Sequence, residues 1–285
     1  MINPLAHNFW KSTNGPYEEI VYSLLINTNS HIFAGTYRSG VFRSTPYGTY
    51  WVQTSLGNKH VTSLVVSPTK YVFAGTSEKG VFRSIDNGVS WTQTSFYNHS
   101  VNSLACNSKG YLFAGTKGNG VYYSKNDGST WINTSLEDCV TDALLIDHNE
   151  NIFAGTEYGL YYSANDGNSW EKRNNGLKNT DINALYQDEN GILYLGTYGD
   201  GLYYSQNHGN SWENIYSEEI NKNIWAITGK NEKIFIGTDG GVFYSSDNYL
   251  TWKKVNSGLG NTHVYCLRIN NEGYIYAGTF GWGVF

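Results

Sequence analysis

The sequence predicts an all-β fold built by radial repetition, and three observations carry that reading. A short motif returns seven times, the composition favours strands and tight turns, and the two ends of the chain read as parts of one unit. The motif is HIFAGTYRSGVFRS at 31–44, YVFAGTSEKGVFRS at 71–84, YLFAGTKGNGVYYS at 111–124 and NIFAGTEYGLYYS at 151–163. It drifts into ILYLGTYGDGLYYS (192–205), KIFIGTDGGVFYS (233–245) and YIYAGTFGWGVF (274–285). Its threonines, Thr36, Thr76, Thr116, Thr156, Thr197, Thr238 and Thr279, are spaced by 40 residues three times and then by 41 three times. The 285 residues include 32 glycines, 24 tyrosines and nine tryptophans against four prolines and one methionine, a strand-and-turn composition.

Each unit reads as four strands. The first resembles HVTSLVVS (60–67), the second is VFAGT, the third GVFRS, and the fourth starts at a tryptophan, as in WTQTS (91–95). Three or four residues ending in glycine separate the second strand from the third, a hairpin signal. Four short antiparallel strands per period fit a β-propeller blade. A solenoid would need capping ends, and none is visible. The last unit stops at Phe285 after its third strand, while NFWKST (8–13) precedes the first unit with Trp10 placed like a fourth-strand tryptophan. The expectation is one seven-bladed propeller domain over 1–285, closed by the N-terminal strand completing the last blade.

The octet SIDNGVSW (84–91) asks whether Asp86, Asn87 and Gly88 begin a calcium loop or only a turn. It recurs as STPYGTYW (44–51), SKNDGSTW (124–131), SANDGNSW (163–170), SQNHGNSW (205–212) and SSDNYLTW (245–252). Pro46, Asn126, Asn165 and Asn207 stand where Asp86 does, and Tyr249 stands for the glycine. Calcium needs several converging oxygens, whereas this pattern offers one carboxylate and dispenses with it elsewhere. Ser84, Asp86, Gly88 and Trp91, with Gly128, Trp131, Gly167, Trp170, Gly209, Trp212 and Trp252, are therefore expected to be framework, and no metal site is expected.

The octet resembles the Asp-box, S-x-D-x-G-x-x-W, of sialidases, sortilin-type receptors, some glycoside hydrolases and bacterial sensor propellers. Together with the FAGT and GVFRS runs, the chain most resembles the two-component-regulator type of propeller. That resemblance covers nearly the whole chain; it is specific for architecture and weak for activity. It implies an extracytoplasmic setting, periplasmic or secreted.

Composition excludes other classes. The net charge of −5 and pI of 5.8 give no footprint for nucleic acid. No apolar run approaches the roughly 18 residues of a membrane span. The start, MINPLAHNFWKST, lacks the regions of a signal peptide. Cys106, Cys139 and Cys266 are too few and too scattered for a disulfide framework or a zinc site, and read as free thiols. A monomer without cofactor is expected.

In an antiparallel meander the octets and the turns after first strands share one end, and the irregular loops share the other. Two rings of varied residues fall at that second end. One follows each Gly-Thr pair: Tyr37, Ser77, Lys117, Glu157, Tyr198, Asp239 and Phe280. The other is the second position of each first strand: Tyr22, Thr62, Asn102, Thr141, Asn183, Trp225 and Tyr265. The positions before the latter are uniform, Val21, Val61, Val101, Val140, Ile182, Ile224 and Val264, as expected for a blade-to-blade contact. Aromatic members gather on units six, seven and one, while Lys117, Glu157, Asp200 and Asp239 lie on units three to six.

An aromatic wall facing a polar one suits a glycan or other planar small molecule, and would equally suit a protein partner. Tyr37, Arg38, Lys117, Glu157, Tyr198, Trp225, Asp239, Phe280 and Trp282 are the expected ligand-binding residues. Tyr265 is expected to pack between blades. A sialidase-type arginine triad is not supported, because Arg43 and Arg83 precede the octets at the opposite end. A glycoside hydrolase needs two carboxyls roughly 5–9.5 Å apart, for which only Glu157 with Asp200 or Asp239 can be nominated. His60, His99 and His263 do not form a metal set. Binding or sensing is the expectation, with a carbohydrate-active enzyme and a protein scaffold as alternatives.

Overall fold

A computed structural model describes residues 9–285. In the first sheet, β1 (Val21–Ile26), β2 (His31–Thr36), β3 (Val41–Pro46) and β4 (Trp51–Gln53) pair antiparallel in chain order. Five further four-stranded sheets repeat that order, and Val264–Ile269 with Ile275–Thr279 form a two-stranded one. First strands of successive sheets touch one another around the molecule, which makes them the innermost strands.

The expected seven-bladed ring is corrected by this topology: among the described residues there are six four-stranded blades and a final two-stranded sheet. Beyond Thr279, Gly281 and Gly283 turn the chain at positive φ, so only Val284 and Phe285 return to the sheet. They make an isolated bridge, Val284 to Gly278, and two backbone bonds between Phe285 and Ala277. Among the described residues, the N-terminal segment does not complete this sheet as a strand. Trp10 N bonds Ser257 O and Thr13 N bonds Val284 O, after which Asn14, Gly15 and Glu18 bend the backbone away at positive φ. Residue 8 of the expected strand lies outside the described residues.

Sheet-to-sheet packing explains why the repeat is so uniform. Val21, Val61, Val101, Thr141, Ile182, Ile224 and Val264 are all fully buried. Each fills the space left by the motif glycine of the preceding unit. A Cβ on Gly35 would lie 2.6 Å from Val61 Cγ1, one on Gly155 2.5 Å from Ile182 Cγ2, and one on Gly278 2.7 Å from Val21 Cγ1. The last of these shows that the two-stranded sheet packs against the first blade, where Cys266 and Tyr276 share a cluster with Val21 and Leu24. Its other face joins Ala226, Phe235 and Val242. The fourth blade differs from the expected register by one residue: Thr141, not Val140, pairs with Thr156 and takes the uniform position.

The octets are turns stitched by their own side chains. Ser84 Oγ accepts from Gly88 N and donates to Asp86 Oδ1, both at 2.8 Å. Asp86 in turn accepts from the amide and hydroxyl of Ser90. Asn126, Asn165 and Asn207 accept the corresponding amides at 2.9–3.0 Å, so an amide oxygen replaces the carboxylate one for one. Arg43, Arg83 and Arg173 each donate to a turn carbonyl of the next blade, on Asn87, Asp127 and His208. These arginines are framework.

Candidate functional site: the bulge-lined mouth

Every first strand loses register after its first residue. Between Val21 and Ser23, and at the same place in the six other units, one residue has no cross-strand partner. Such a bulge turns the extra side chain out of the pleat. The seven bulged residues are Tyr22, Thr62, Asn102, Asp142, Asn183, Trp225 and Tyr265, and all seven line one cleft of about 820 Å³ at the mouth of the ring. Their chemistry is unrepetitive because they carry no ladder contact, while their neighbours at the uniform position are fixed by packing.

One arc of the cleft is aromatic. Trp225 and Tyr265 have ring centroids 5.8 Å apart, Tyr265 and Tyr22 4.7 Å, and Tyr22 and Tyr37 6.1 Å. His60 lies 4.9 Å from Tyr22, and His263 4.6 Å from Tyr265. Burial pushes the Tyr265 phenol up to about 12, with the Tyr22 phenol beside it adding to the effect, and lowers the His60 imidazole.

The other arc is polar. Asn102 Nδ2 donates to Asp142 Oδ1 at 2.7 Å, and Lys117 stands beside them. Burial raises the Asp142 carboxyl above its ordinary value, and the charges of Asp181 and Glu157 add to that rise. The Asp181 carboxyl is raised too, by burial and then by Glu157. His60 Nε2 and Asn183 Nδ2 are buried without a hydrogen-bond partner among the described residues.

The expected site residues divide. Tyr37, Lys117 and Trp225 line the cleft. Tyr198, half-exposed, leans on Trp225 at 5.8 Å, and Phe280 approaches His263 at 6.0 Å, so both are rim residues. Arg38 covers the Tyr37 ring at 4.9 Å, in an adjoining groove with Lys59 and Lys79. Trp282 instead covers Gly260 and does not line the cleft. Asp239 accepts from Trp225 Nε1 and Asn223 Nδ2, each at 2.6 Å, and Asp200 accepts from the Tyr203 hydroxyl. Glu157 accepts from Val140 N at 3.2 Å.

Sequence reasoning missed Asp142. Thr141 was assigned the position that Asp142 holds, because Val140 resembles the valines that open other first strands. The separation from the motif threonine was the available signal: Thr156 to Thr141 matches Thr36 to Val21 and Thr116 to Val101. Tyr265, expected between blades, is part of the cleft wall.

A family model described as the DUF6242 beta propeller domain matches residues 71–185, and one described as Two component regulator propeller matches residues 176–199. No curated protein matches the sequence. Among solved structures, the chain is similar to the extracellular domain of BT4673 from B. thetaiotaomicron, named as a one-component system. That match has TM-score 0.77 and 16% identity, and covers 93% of this chain and 38% of that one. The GH74 enzyme of Niastella koreensis matches with TM-score 0.69 at 19% identity, over 94% of this chain and 43% of that one. A catalytically inactive virginiamycin B lyase from Staphylococcus aureus, with quinupristin, gives TM-score 0.78 at 9% identity, over 94% of each chain. The chain thus spans about two fifths of the first two proteins, and at these identities the likenesses establish the propeller fold alone.

Proposed function

We propose that this protein is a ligand-binding or sensing propeller whose site is the bulge-lined mouth. The observation that carries the reading is the division of the seven unpaired residues into an aromatic arc and a polar arc across one cleft. A flat apolar face would stack on Trp225, Tyr265 and Tyr22, and a polar edge would meet Asn102, Asp142, Asn183 and Lys117. Saccharides combine such a face with such an edge, so a glycan or a planar polar metabolite is the proposed ligand class. The similarity to the extracellular domain of a one-component system supports an extracytoplasmic setting as part of this reading.

The test is a thermal-shift screen of glycans and small metabolites, followed by calorimetry on variants. Trp225→Ala and Asn183→Ala should each weaken any hit by several-fold or more while the ring stays folded. Hits whose affinity is untouched by both variants would place binding elsewhere.

A second reading, a carbohydrate-active enzyme, is favoured by one observation: Asp142, Asp181 and Glu157 are close enough for their charges to raise the Asp142 carboxyl. A raised acid beside a second carboxylate is the arrangement that general acid catalysis uses. Asp200 and Asp239, bound to Tyr203 and Trp225, fit that role less well. Product analysis on any glycan hit, with Asp142→Asn as control, separates hydrolysis or elimination from binding.

A further inference from the structure

The cations at the loop end of the ring are gathered on one side. Of the seven hairpins between second and third strands, only those of the first three units carry Arg or Lys, at Arg38, Lys79 and Lys117. Lys117 lines the mouth cleft. Arg38 and Lys79 line, with Lys59, an adjoining groove of about 430 Å³. Glu78 is the one carboxylate of that groove, so three cations stand against a single acid in a molecule of net charge −5. None of the three lies within 4 Å of a carboxylate among the described residues.

The groove and the cleft share a wall, for Tyr37, His60, Ser77 and Glu78 line both. Tyr37 ends the aromatic arc, 6.1 Å from Tyr22, and Arg38 covers its ring at 4.9 Å. A guanidinium stacked on a ring uses its flat face there and keeps the N–H donors of its edge for oxyanions. His60, 4.8 Å from Tyr37, stands at the junction, and its Nε2 is buried with no hydrogen-bond partner among the described residues. A buried nitrogen without a partner carries a cost that a polar group of a ligand would offset.

Arg38 and Lys79 are exposed and Lys59 is half-buried, so water solvates each of them and a free anion is held weakly. The groove becomes effective for an anionic group delivered by its neighbour. A ring stacked on Tyr22 and Tyr37 would hold its own substituents in the groove at high effective concentration.

We propose that the groove of Arg38, Lys59 and Lys79 is a subsite for the carboxylate or sulfate of an acidic saccharide whose ring stacks at the mouth. The inference rests on the mouth reading above and narrows its ligand class to acidic saccharides.

Calorimetry tests it with three pairs of probes: oligogalacturonate and its methyl ester, hyaluronan tetrasaccharide and its methyl ester, and a sulfated galactan oligosaccharide and its desulfated form. At least one acidic member should bind, about tenfold or more tighter than its neutral counterpart, the sum of three modest ion pairs. The triple variant Arg38→Gln, Lys59→Gln, Lys79→Gln should lose most of that preference. If it folds poorly, Arg38→Gln and Lys79→Gln singly should each weaken the acidic probe several-fold. Glu78→Gln, which removes the competing carboxylate, should tighten it. Sodium acetate and sodium sulfate alone should give no saturable binding; if either does, the stacked ring is not needed and the inference falls. It falls too if no acidic probe binds, if acidic and neutral partners bind alike, or if the triple variant keeps the preference. Binding without charge preference that Trp225→Ala weakens leaves the mouth reading standing alone. Charge-preferring binding that Trp225→Ala leaves untouched separates the groove from the mouth and sinks the mouth reading instead.

Discussion

Trp225 Nε1 donates to Asp239 Oδ1 at 2.6 Å, so the bulged indole of the sixth blade is held by the residue that follows its own second strand. The same carboxylate accepts from Asn223 Nδ2, and His263 Nε2 approaches it at 2.8 Å. Asp239 is thereby a positioning residue for the aromatic arc. Asp239→Ala should release the indole and weaken binding of a mouth ligand several-fold, with a small loss of melting temperature. Asp239→Asn, which still offers an oxygen to Trp225, should retain more affinity than alanine. Calorimetry on the three proteins checks this, and equal affinities would remove Asp239 from the site.

The octets predict a separation between two neighbouring atoms. Ser84 is buried and its hydroxyl bridges Gly88 N and Asp86, so Ser84→Ala leaves a buried amide without its acceptor and should cost about 1–3 kcal/mol. Asp86→Asn reproduces what Asn126, Asn165 and Asn207 already do and should be near neutral at pH 7. In acid Asp86 and its asparagine variant differ. The Ser90 hydroxyl and amide hold the Asp86 carboxyl down at about 2, so its contribution is present above the ordinary value of 3.8 and is lost as pH falls towards 2. Denaturant melts of Asp86→Asn should show a flatter stability profile over that window than wild type.

Gly155 and Gly110 should respond differently to alanine. A Cβ on Gly155 would come within 2.5 Å of Ile182 in the next blade, and overpacking of this kind costs typically 1–3 kcal/mol. Gly110 has φ +81° and nothing within 4 Å, so Gly110→Ala meets backbone strain alone, roughly 1 kcal/mol. In an Ile182→Ala background, which lacks the clashing Cγ2, Gly155→Ala should cost less than it does in wild type, while the cost of Gly110→Ala should be unchanged. Thermal melts of the single and double variants decide the matter; an equal cost of Gly155→Ala in both backgrounds would detach Gly155 from the blade contact.

That blade contact is also why the fold was legible. Seven glycines each face a valine, isoleucine or threonine of the following unit, and a contact repeated around a ring writes a period into the sequence. The bulge wrote nothing comparable, since one unpaired residue leaves the apolar alternation on either side intact. The blade-four slip from Thr141 to Val140 arose there, and it hid Asp142. The incomplete last sheet was equally opaque: VF at 284–285 reads like the start of a third strand, but pairing is decided by the Gly281–Gly283 turn. Trp282 rests on Gly260 outside the cleft, with more than half of its surface exposed.

Asp142 supplies the prediction with a pH sign. Burial first, then Asp181 and Glu157, raise its carboxyl above the ordinary value, while Asn102 and Lys117 act the other way. A raised folded value means the native state holds the proton more tightly than the unfolded chain does. The stability this contributes is fully present below about 4, the unfolded value, and is lost as pH rises through the folded one. Asp181, raised for the same reasons, adds a loss of the same sign. Asp142→Asn keeps an oxygen for Asn102 Nδ2 and removes the charge. Its melting temperature at pH 7 should therefore equal or exceed that of wild type, and its profile from pH 4 upward should fall less steeply. Differential scanning calorimetry across that range is the measurement. A variant that loses stability at neutral pH, or whose profile parallels wild type, would mean that Asp142 is already compensated in the folded ring.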